Sequence, residues 1–164
     1  MDIFIRQADL TDVPAMARIE RESFDSPWSA KEITNDVMAG GGVYVAVALE
    51  GEERVGYAEC RNVAGEAQIY NIAIAPETRG RGVGEALLRH VISVAEDQGC
   101  RLVTLEVKAG NDAAMKLYDK LGFREVGRRP RYYPGDKDAI LMDLDLDPDA
   151  DQAEEDIKVE VEVL

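Results

Sequence analysis

Short apolar runs with a period of two alternate along the chain with longer segments that have the 3.6-residue period of helices. Six runs of the first kind predict strands, and four segments of the second kind predict helices. The strands are Ile3–Ala8, Val43–Glu50, Arg54–Val63, Ala67–Ala75, Arg101–Lys108 and Ala139–Leu146. The helices are Leu10–Phe24, Ser29–Met38, a segment from about Val83 to Gln98, and Asn111–Gly122.

Local residues support these helix boundaries. Either Asp9 or Thr11 can cap the first helix, and either Asn111 or Asp112 can cap the last one. Gly122 is typical of a helix end.

The order of the elements indicates the fold class. The three strands between residues 43 and 75 are joined by short polar turns, which is typical of an antiparallel meander. The later strands alternate with helices, which favours crossover connections. The sequence therefore predicts an α+β domain over residues 1–146, with helices on the faces of one mixed sheet.

The last 18 residues, 147–164, have a different composition. Residues 147–156 hold six carboxylates and no basic residue, so we expect a solvated, acidic tail. Residues 157–163 alternate apolar and charged side chains, which is a half-buried strand pattern. This piece could pair with a sheet edge of its own or a neighbouring subunit, or remain disordered.

Composition narrows the function classes. The net charge of −14 argues against nucleic-acid binding, which needs clustered Lys and Arg. The acidic surface suits either a salt-rich cell or an ordinary acidic protein. We expect a cytoplasmic location and no membrane partner, because no apolar span and no export signal are visible. A single histidine and two cysteines without metal-ligand spacing predict no metal site.

The stretch Arg79–Leu88, RGRGVGEALL, places three glycines before a predicted helix. Bare backbone at a helix N-terminus lets a phosphate approach the free amides. The stretch lacks the Lys-Ser/Thr pair of a P-loop, and Glu85 occupies the position of the third glycine of a dinucleotide fingerprint. A tight strand-to-helix turn is the structural alternative.

RGRGVG (Arg79–Gly84) resembles the [QR]xxGxG acetyl-coenzyme A signature of the GNAT acetyltransferase superfamily. Residues 105–123 are similar to its second coenzyme-contacting segment, while SPWS (26–29) and residues 128–144 resemble the RimI-type protein N-terminal acetyltransferases. The resemblance spans residues 1–146. It implies the GNAT fold, with a mixed, mostly antiparallel sheet of about seven strands and about four helices. It also implies acetyl-CoA as co-substrate and a protein N-terminus, of a ribosomal protein or of nascent chains, as acceptor.

The resemblance implies the coenzyme contacts. Three strand residues would pair with pantetheine through their backbone, and the glycine loop would hold the pyrophosphate. Two arginines would supplement the loop amides at the pyrophosphate or at the 3'-phosphate, or remain solvated. Asn111 would bond pantetheine, and Tyr118 would lie by the sulfur. The implied set is Ile72, Ala73, Ile74, Arg79, Gly80, Arg81, Gly82, Val83, Gly84, Glu85, Asn111 and Tyr118.

The residues themselves suggest the catalytic pair. Glu106 lies in a strand that looks buried, where desolvation would make a carboxylate a better proton acceptor. The alternative is an exposed carboxylate on a one-sided strand. Tyr118 shares a helix face with Leu117 and Leu121, which favours a core aromatic. In the resemblance it is the acid that protonates the leaving thiolate.

The acceptor site is expected in the RYYP segment, Arg131–Pro134, predicted as a loop before the last strand. Tyr132 and Tyr133 could flank a peptide or cover the core, and Trp28 could line the opposite wall or simply pack. A small-amine acetyltransferase and a non-catalytic acetyl-CoA sensor are the rival functions. A monomer or a homodimer is compatible with the sequence.

Overall fold

The computed structural model describes residues 2–146 and contains one seven-stranded sheet with helices on both faces. Its α+β architecture, with four α-helices, confirms the predicted fold class. The predicted tail and its edge strand, 147–164, lie outside the described residues. The strands are β1 (Ile3–Gln7), β2 (Val43–Glu50), β3 (Glu53–Val63), β4 (Glu66–Ile74), β5 (Leu102–Lys108), β6 (Arg124–Tyr133) and β7 (Lys137–Asp145). The helices are α1 (Val13–Ser23), α2 (Ala30–Ala39), α3 (Val83–Asp97) and α4 (Asp112–Lys120).

The strands follow the order β1-β2-β3-β4-β5-β7-β6. β2 to β4 form the predicted antiparallel meander, and β1 pairs antiparallel with β2. The crossover through α3 brings β5 parallel to β4, and β7 lies between β5 and β6, antiparallel to both. β6 is therefore an edge strand.

β6 is the strand that the hydrophobic pattern does not predict. The expectation that the RYYP segment forms a loop is wrong for Arg131–Tyr133, which belong to β6. Most β6 side chains are exposed, so the strand lacks the alternation that marks its neighbours. Pro130 is tolerated there because an edge strand can spare a backbone donor.

The sheet parts between β4 and β5. The two strands pair only over Glu66–Gln68 and Leu102–Thr104, although β4 continues to Ile74 and β5 to Lys108. The bulge at Tyr70, which lies between the pairs Cys60–Ile69 and Glu59–Asn71, falls where the separation begins. From that point the side of β4 that faces β5 has no strand partner among the described residues.

Each face of the sheet has its own apolar cluster. One cluster joins the sheet to α3 and α4, and the other joins it to α1 and α2. The fully buried members of the first cluster include Ala46, Ala48, Leu87, Leu88 and Val103; those of the second include Ile19 and Val47.

No helix described between residues 2 and 146 is long and apolar enough to cross a membrane.

Of the alternative capping residues predicted for the first and last helices, Asp9 and Asn111 make the capping hydrogen bonds. Asp9 caps the 3-10 turn that leads into α1, and Asn111 caps α4 through a 3.3 Å hydrogen bond from the Ala114 amide. The turn after Asp9 also places Asp12 in the interior. The Asp12 carboxylate is fully buried and accepts hydrogen bonds from Arg6 at 2.7 and 2.9 Å and from Arg54 at 2.9 Å.

We expect Asp12→Asn to destabilise the protein by about 2 kcal/mol at pH 7. Burial alone would raise the pKa of Asp12, but hydrogen bonds from Arg6, the Asp9 amide and Arg54 outweigh it and lower the pKa to about 2. Because the pKa of Asp12 is lower in the folded protein, the ionised carboxylate stabilises the fold at pH values above its unfolded-state pKa of about 4. This stabilisation is lost as the pH falls toward 2. Urea unfolding of the wild type and Asp12→Asn at pH 7 and pH 3 measures this effect. The difference between their free energies of unfolding should be about half as large at pH 3 as at pH 7.

The exposed pair of Arg124 and Asp145, 3.3 Å apart, offers a matched control. Asp145→Asn should change the free energy of unfolding by less than about 0.5 kcal/mol, because exposed ion pairs are screened by water. Equal effects of the two substitutions would contradict the assignment of Asp12 as a buried anchor.

Candidate active site

The predicted glycine loop opens α3 without a side-chain cap. Gly82 is the N-cap residue, with φ of 88° in the left-handed region that favours glycine. A Cβ added at Gly80 or Gly82 would meet no atom within 4 Å, so the space in front of the helix is open. The first amides of α3, at Val83, Gly84 and Glu85, have no helical partner. This end of α3 can therefore bind an anion through its backbone.

The charged side chains around the glycine loop have protein partners. Arg79 donates 3.0 Å hydrogen bonds to the Ile74 carbonyl and to the Ser23 hydroxyl, which links the end of β4 to α1. Arg81 lies 3.3 Å from Glu50. The Glu85 carboxylate pairs with Lys120 at 2.8 Å, and hydrogen bonding to Lys120 lowers its pKa. The predicted phosphate contacts of the two arginines stay predictions.

The predicted pantetheine strand is the open edge of β4. Ile72, Ala73 and Ile74 pair with β3 on one side, and their other side faces the gap toward β5. Ala73 is buried in the α1–α2 cluster, whereas Ile72 and Ile74 pack toward α3. Backbone groups on this open side could pair with an extended ligand, as an added strand would.

Tyr118 is a core residue of α4. Its ring is buried and makes an edge-on contact with Phe123, with centroids 5.8 Å apart. Its hydroxyl has no hydrogen-bond partner among the described residues, yet no side-chain oxygen in this part of the chain is both buried and unpaired. The hydroxyl therefore reaches the surface, and burial raises the pKa of Tyr118.

Glu106 is exposed, so the expectation of a buried carboxylate is wrong. Val103, Leu105 and Val107 of β5 face the α3–α4 cluster, while Glu106 and Lys108 face the other side of the sheet. Glu106 lies two residues beyond the last β5 residue that pairs with β4. Its side chain is 34% exposed, and its carboxylate lies 3.5 Å from the Arg129 guanidinium.

Two tyrosines at the end of β6 lie beside Glu106. The rings of Tyr132 and Tyr133 meet edge to face, with centroids 5.1 Å apart, and Tyr132 is 55% exposed. Burial raises the pKa of Tyr133, and the charge of Glu106 adds to this effect. The Arg129 guanidinium carbon lies 5.6 Å from the Tyr132 ring centre. Glu106, Arg129, Tyr132 and Tyr133 thus form one group, called here the Glu106 group.

The contacts of Trp28 are with α1 and the α1–α2 cluster. It lies against the α1–α2 cluster, and its amide donates a 3.1 Å hydrogen bond to Glu20. Within residues 2–146, no hydrogen bond, ion pair or ring contact joins Trp28 to the Glu106 group. Its predicted place in the acceptor wall stays a prediction.

A buried polar network that the sequence analysis missed holds Trp28 near β4. Glu20 is 2% exposed and accepts a 2.9 Å hydrogen bond from Asn71, whose amide also lies 2.9 Å from the Tyr57 hydroxyl. Burial raises the pKa of Glu20. The available signal was Glu20 itself, a carboxylate one helical turn after Met16 on the apolar face of α1.

The site contains groups for acid-base chemistry and no visible metal centre. Between residues 2 and 146, no group of three or more His, Cys, Asp or Glu residues is arranged to hold a metal ion. Glu106 lies at the gap that exposes the open backbone edge of β4, and α4 carries the Tyr118 phenol. A carboxylate, a phenol and an open backbone edge suit transfer of an acyl group to a nucleophile.

Comparisons with known proteins agree with this geometry. Residues 13–123 match the acetyltransferase (GNAT) family. The chain is 39% identical over 138 residues to the [ribosomal protein bS18]-alanine N-acetyltransferase of Salmonella typhimurium, covering 82% of this chain and 91% of that protein. The solved ribosomal-protein-S18-alanine N-acetyltransferase of Escherichia coli superposes with a TM-score of 0.82 at 35% identity, covering 88% and 94% of the two chains.

A more distant solved structure shares the same architecture. Ard1 from Thermoplasma volcanium superposes with a TM-score of 0.80 at 26% identity, covering 89% of this chain and 99% of the other. The family match spans more than half of the chain and contains the glycine loop, Glu106 and Tyr118. The chain therefore belongs to the GNAT acetyltransferase family.

Proposed function

We propose that the chain transfers the acetyl group of acetyl-CoA to the N-terminal α-amine of a protein. The parting of β4 and β5 carries this proposal, because it brings an open strand edge to the same gap as Glu106. The relatives from Salmonella typhimurium and Escherichia coli are named for acetylation of an alanine of ribosomal protein S18. Alanine has no side-chain amine, so an N-acetylated alanine supports an α-amine acceptor. A ribosomal acceptor is cytoplasmic, and the proposal includes this location.

The donor fits the open side of β4 and the start of α3. The pyrophosphate would accept hydrogen bonds from the free amides of Val83, Gly84 and Glu85. The pantetheine arm would pair with the backbone of Ile72–Ile74, which leads from the gap to the glycine loop. Bound there, acetyl-CoA supplies an activated acyl group, and every other part of the chemistry comes from the protein and the acceptor.

The acceptor would approach from the face that carries the Glu106 group. Tyr132 and Tyr133 would flank the first residues of the peptide. An α-ammonium has a pKa of about 7.7 to 8.0, so losing one proton to solvent near neutral pH costs little. The neutral nitrogen then attacks the thioester carbonyl carbon while Glu106 accepts its second proton.

Tyr118 would complete the transfer as the acid. As the carbon–sulfur bond breaks, the phenol gives its proton to the departing sulfur, and the proton held by Glu106 returns to the phenolate through solvent. The products are an N-acetylated protein and free coenzyme thiol, with one proton released. Both groups end the cycle in their starting forms.

The proposal is tested by an acceptor panel. Peptides that begin with Ala, Ser or Met are incubated with acetyl-CoA beside spermidine and a peptide whose only amine is an internal lysine. Thiol release gives the rate, mass spectrometry locates the acetyl group, and low and molar KCl test the acidic surface. Acetylation confined to α-amines is expected. Turnover only with spermidine, or coenzyme binding without turnover, would overturn the proposal.

We expect Gly82→Ala to weaken acetyl-CoA binding. The left-handed backbone makes any Cβ there cost about 1 kcal/mol, and that Cβ would stand in the open space before the free amides. Gly65 has a similar φ of 82° and open surroundings in the β3–β4 turn, so Gly65→Ala is a matched control. Both variants should lose similar stability, but only Gly82→Ala should raise the KM for acetyl-CoA, by about tenfold. Equal KM values would contradict the pyrophosphate assignment.

A further inference from the structure

Arg129 reaches Glu106 across an intervening strand. β7 separates β5 from β6, and within it Leu141 pairs with Glu106 and Ala139 pairs with Arg129. The Arg129 Nη1 nonetheless lies 3.5 Å from the Glu106 Oε1. The Arg129 side chain therefore crosses β7 to meet the carboxylate of the Glu106 group. The mechanism proposed above gives this contact no role.

The strand beneath Arg129 is shaped for this crossing. Ala139, directly opposite Arg129, has a small side chain and is fully buried. Gly127, opposite Leu141, adds no side chain to this surface, and a Cβ there would lie 3.4 Å from the Leu141 Cδ1. Because the residues at these two positions are small, the aliphatic stem of Arg129 can lie along β7 and bring its guanidinium to β5.

The end of β6 directs the same guanidinium toward the acceptor wall. The register of β6 and β7 shifts between Arg129 and Tyr133, and Arg131 adopts a φ of 54°, with its amide bonded to Asp138 at 3.0 Å. A left-handed arginine held in this way is a strained conformation of the kind found at functional sites. It brings Tyr132 to the Arg129 guanidinium, which then lies between Glu106 and the tyrosines.

We propose that Arg129 is a positioning residue that keeps the bound acceptor amine neutral. The inference rests on the proposed function, with Glu106 as the base. A lone carboxylate would form an ion pair with an incoming α-ammonium and hold it in the protonated, unreactive form. A guanidinium beside the same carboxylate repels that second cation and favours loss of its proton to solvent. The neutral amine is then left next to an ionised Glu106, which is the state that can attack.

The consequence is a split between binding and turnover. Without the Arg129 charge, the ammonium form should bind more tightly and react more slowly near neutral pH. The dependence of kcat on pH reports groups in the bound complex, whereas kcat/KM reports the free species. The acid limb of kcat is therefore the readout that a merely structural arginine would not move.

The test compares kcat against pH, with a saturating Ala peptide, for the wild type, Arg129→Gln and Arg129→Lys. The acid limb should move to higher pH by about one unit in Arg129→Gln, with an unchanged or lower KM for the peptide at pH 7. Arg129→Lys keeps the charge and should restore the limb. Arg128→Gln is the matched control, because Arg128 is the next residue of β6 and pairs with Glu125 at 2.6 Å and with Asp138 at 3.8 Å.

Each outcome decides a separate point. An acid limb unchanged in Arg129→Gln, in a wild type that acetylates the Ala peptide, would overturn this inference alone. A limb that moves equally in Arg128→Gln would also overturn it, since the effect would then belong to surface charge in general. A wild type that acetylates no α-amine would overturn the proposed function and this inference together.

Discussion

Replacing Glu106 by glutamine should lower kcat for an Ala peptide by about two to four orders of magnitude. Glutamine keeps the shape of the side chain and removes its ability to accept a proton. The KM for acetyl-CoA should stay within about twofold, because the proposed pyrophosphate and pantetheine contacts lie on β4 and at the start of α3. Steady-state thiol release with both substrates varied measures these constants.

The residual rate of Glu106→Gln should rise with pH. Attack still requires a neutral acceptor amine, and the neutral fraction grows through the α-amine pKa of about 7.7 to 8.0. Stability should change little, since Arg129 is 56% exposed and water replaces its partner. Glu125→Gln, on the exposed edge strand, is the control and should retain full activity. A fully active Glu106→Gln would exclude Glu106 as the base.

The sequence predicts strands best where both faces of a strand are covered or strictly divided. β2, β3 and β5 show clear apolar patterns because helices pack on the sheet beside them. β6 carries no such pattern because it is an edge strand with mostly exposed side chains. Its identity depends on pairing with β7, a contact that local periodicity does not encode.

The sequence identifies candidate residues for the site, but it does not predict the surroundings of those residues. A carboxylate in an apolar run predicts burial of Glu106, yet β5 is covered on one face only. Its partner Arg129 is 23 positions away in sequence and one strand removed in space, so no spacing rule connects them. Glu20 is the converse case, because a polar residue on the buried face of α1 is visible in the helical pattern.

Replacing Tyr118 by phenylalanine should lower kcat by about two orders of magnitude with little change in stability. The ring remains to pack against Phe123, and the lost hydroxyl has no hydrogen-bond partner among the described residues. Burial raises the pKa of Tyr118, so the phenol stays protonated through neutral pH and is available as an acid. Removing it leaves the departing thiolate without a proton donor.

Tyr44 offers the matched control for Tyr118. Its hydroxyl lies 2.7 Å from the His90 Nε2, between β2 and α3, so Tyr44→Phe removes a hydrogen bond away from the gap. Tyr44→Phe should lower the free energy of unfolding by about 1 kcal/mol and leave kcat unchanged, which is the reverse of the Tyr118→Phe pattern. Thermal unfolding and steady-state rates of the two variants separate the roles. If Tyr118→Phe also lost stability and kept its kcat, the phenol would be a core residue alone, and the proton for the leaving sulfur would come from water.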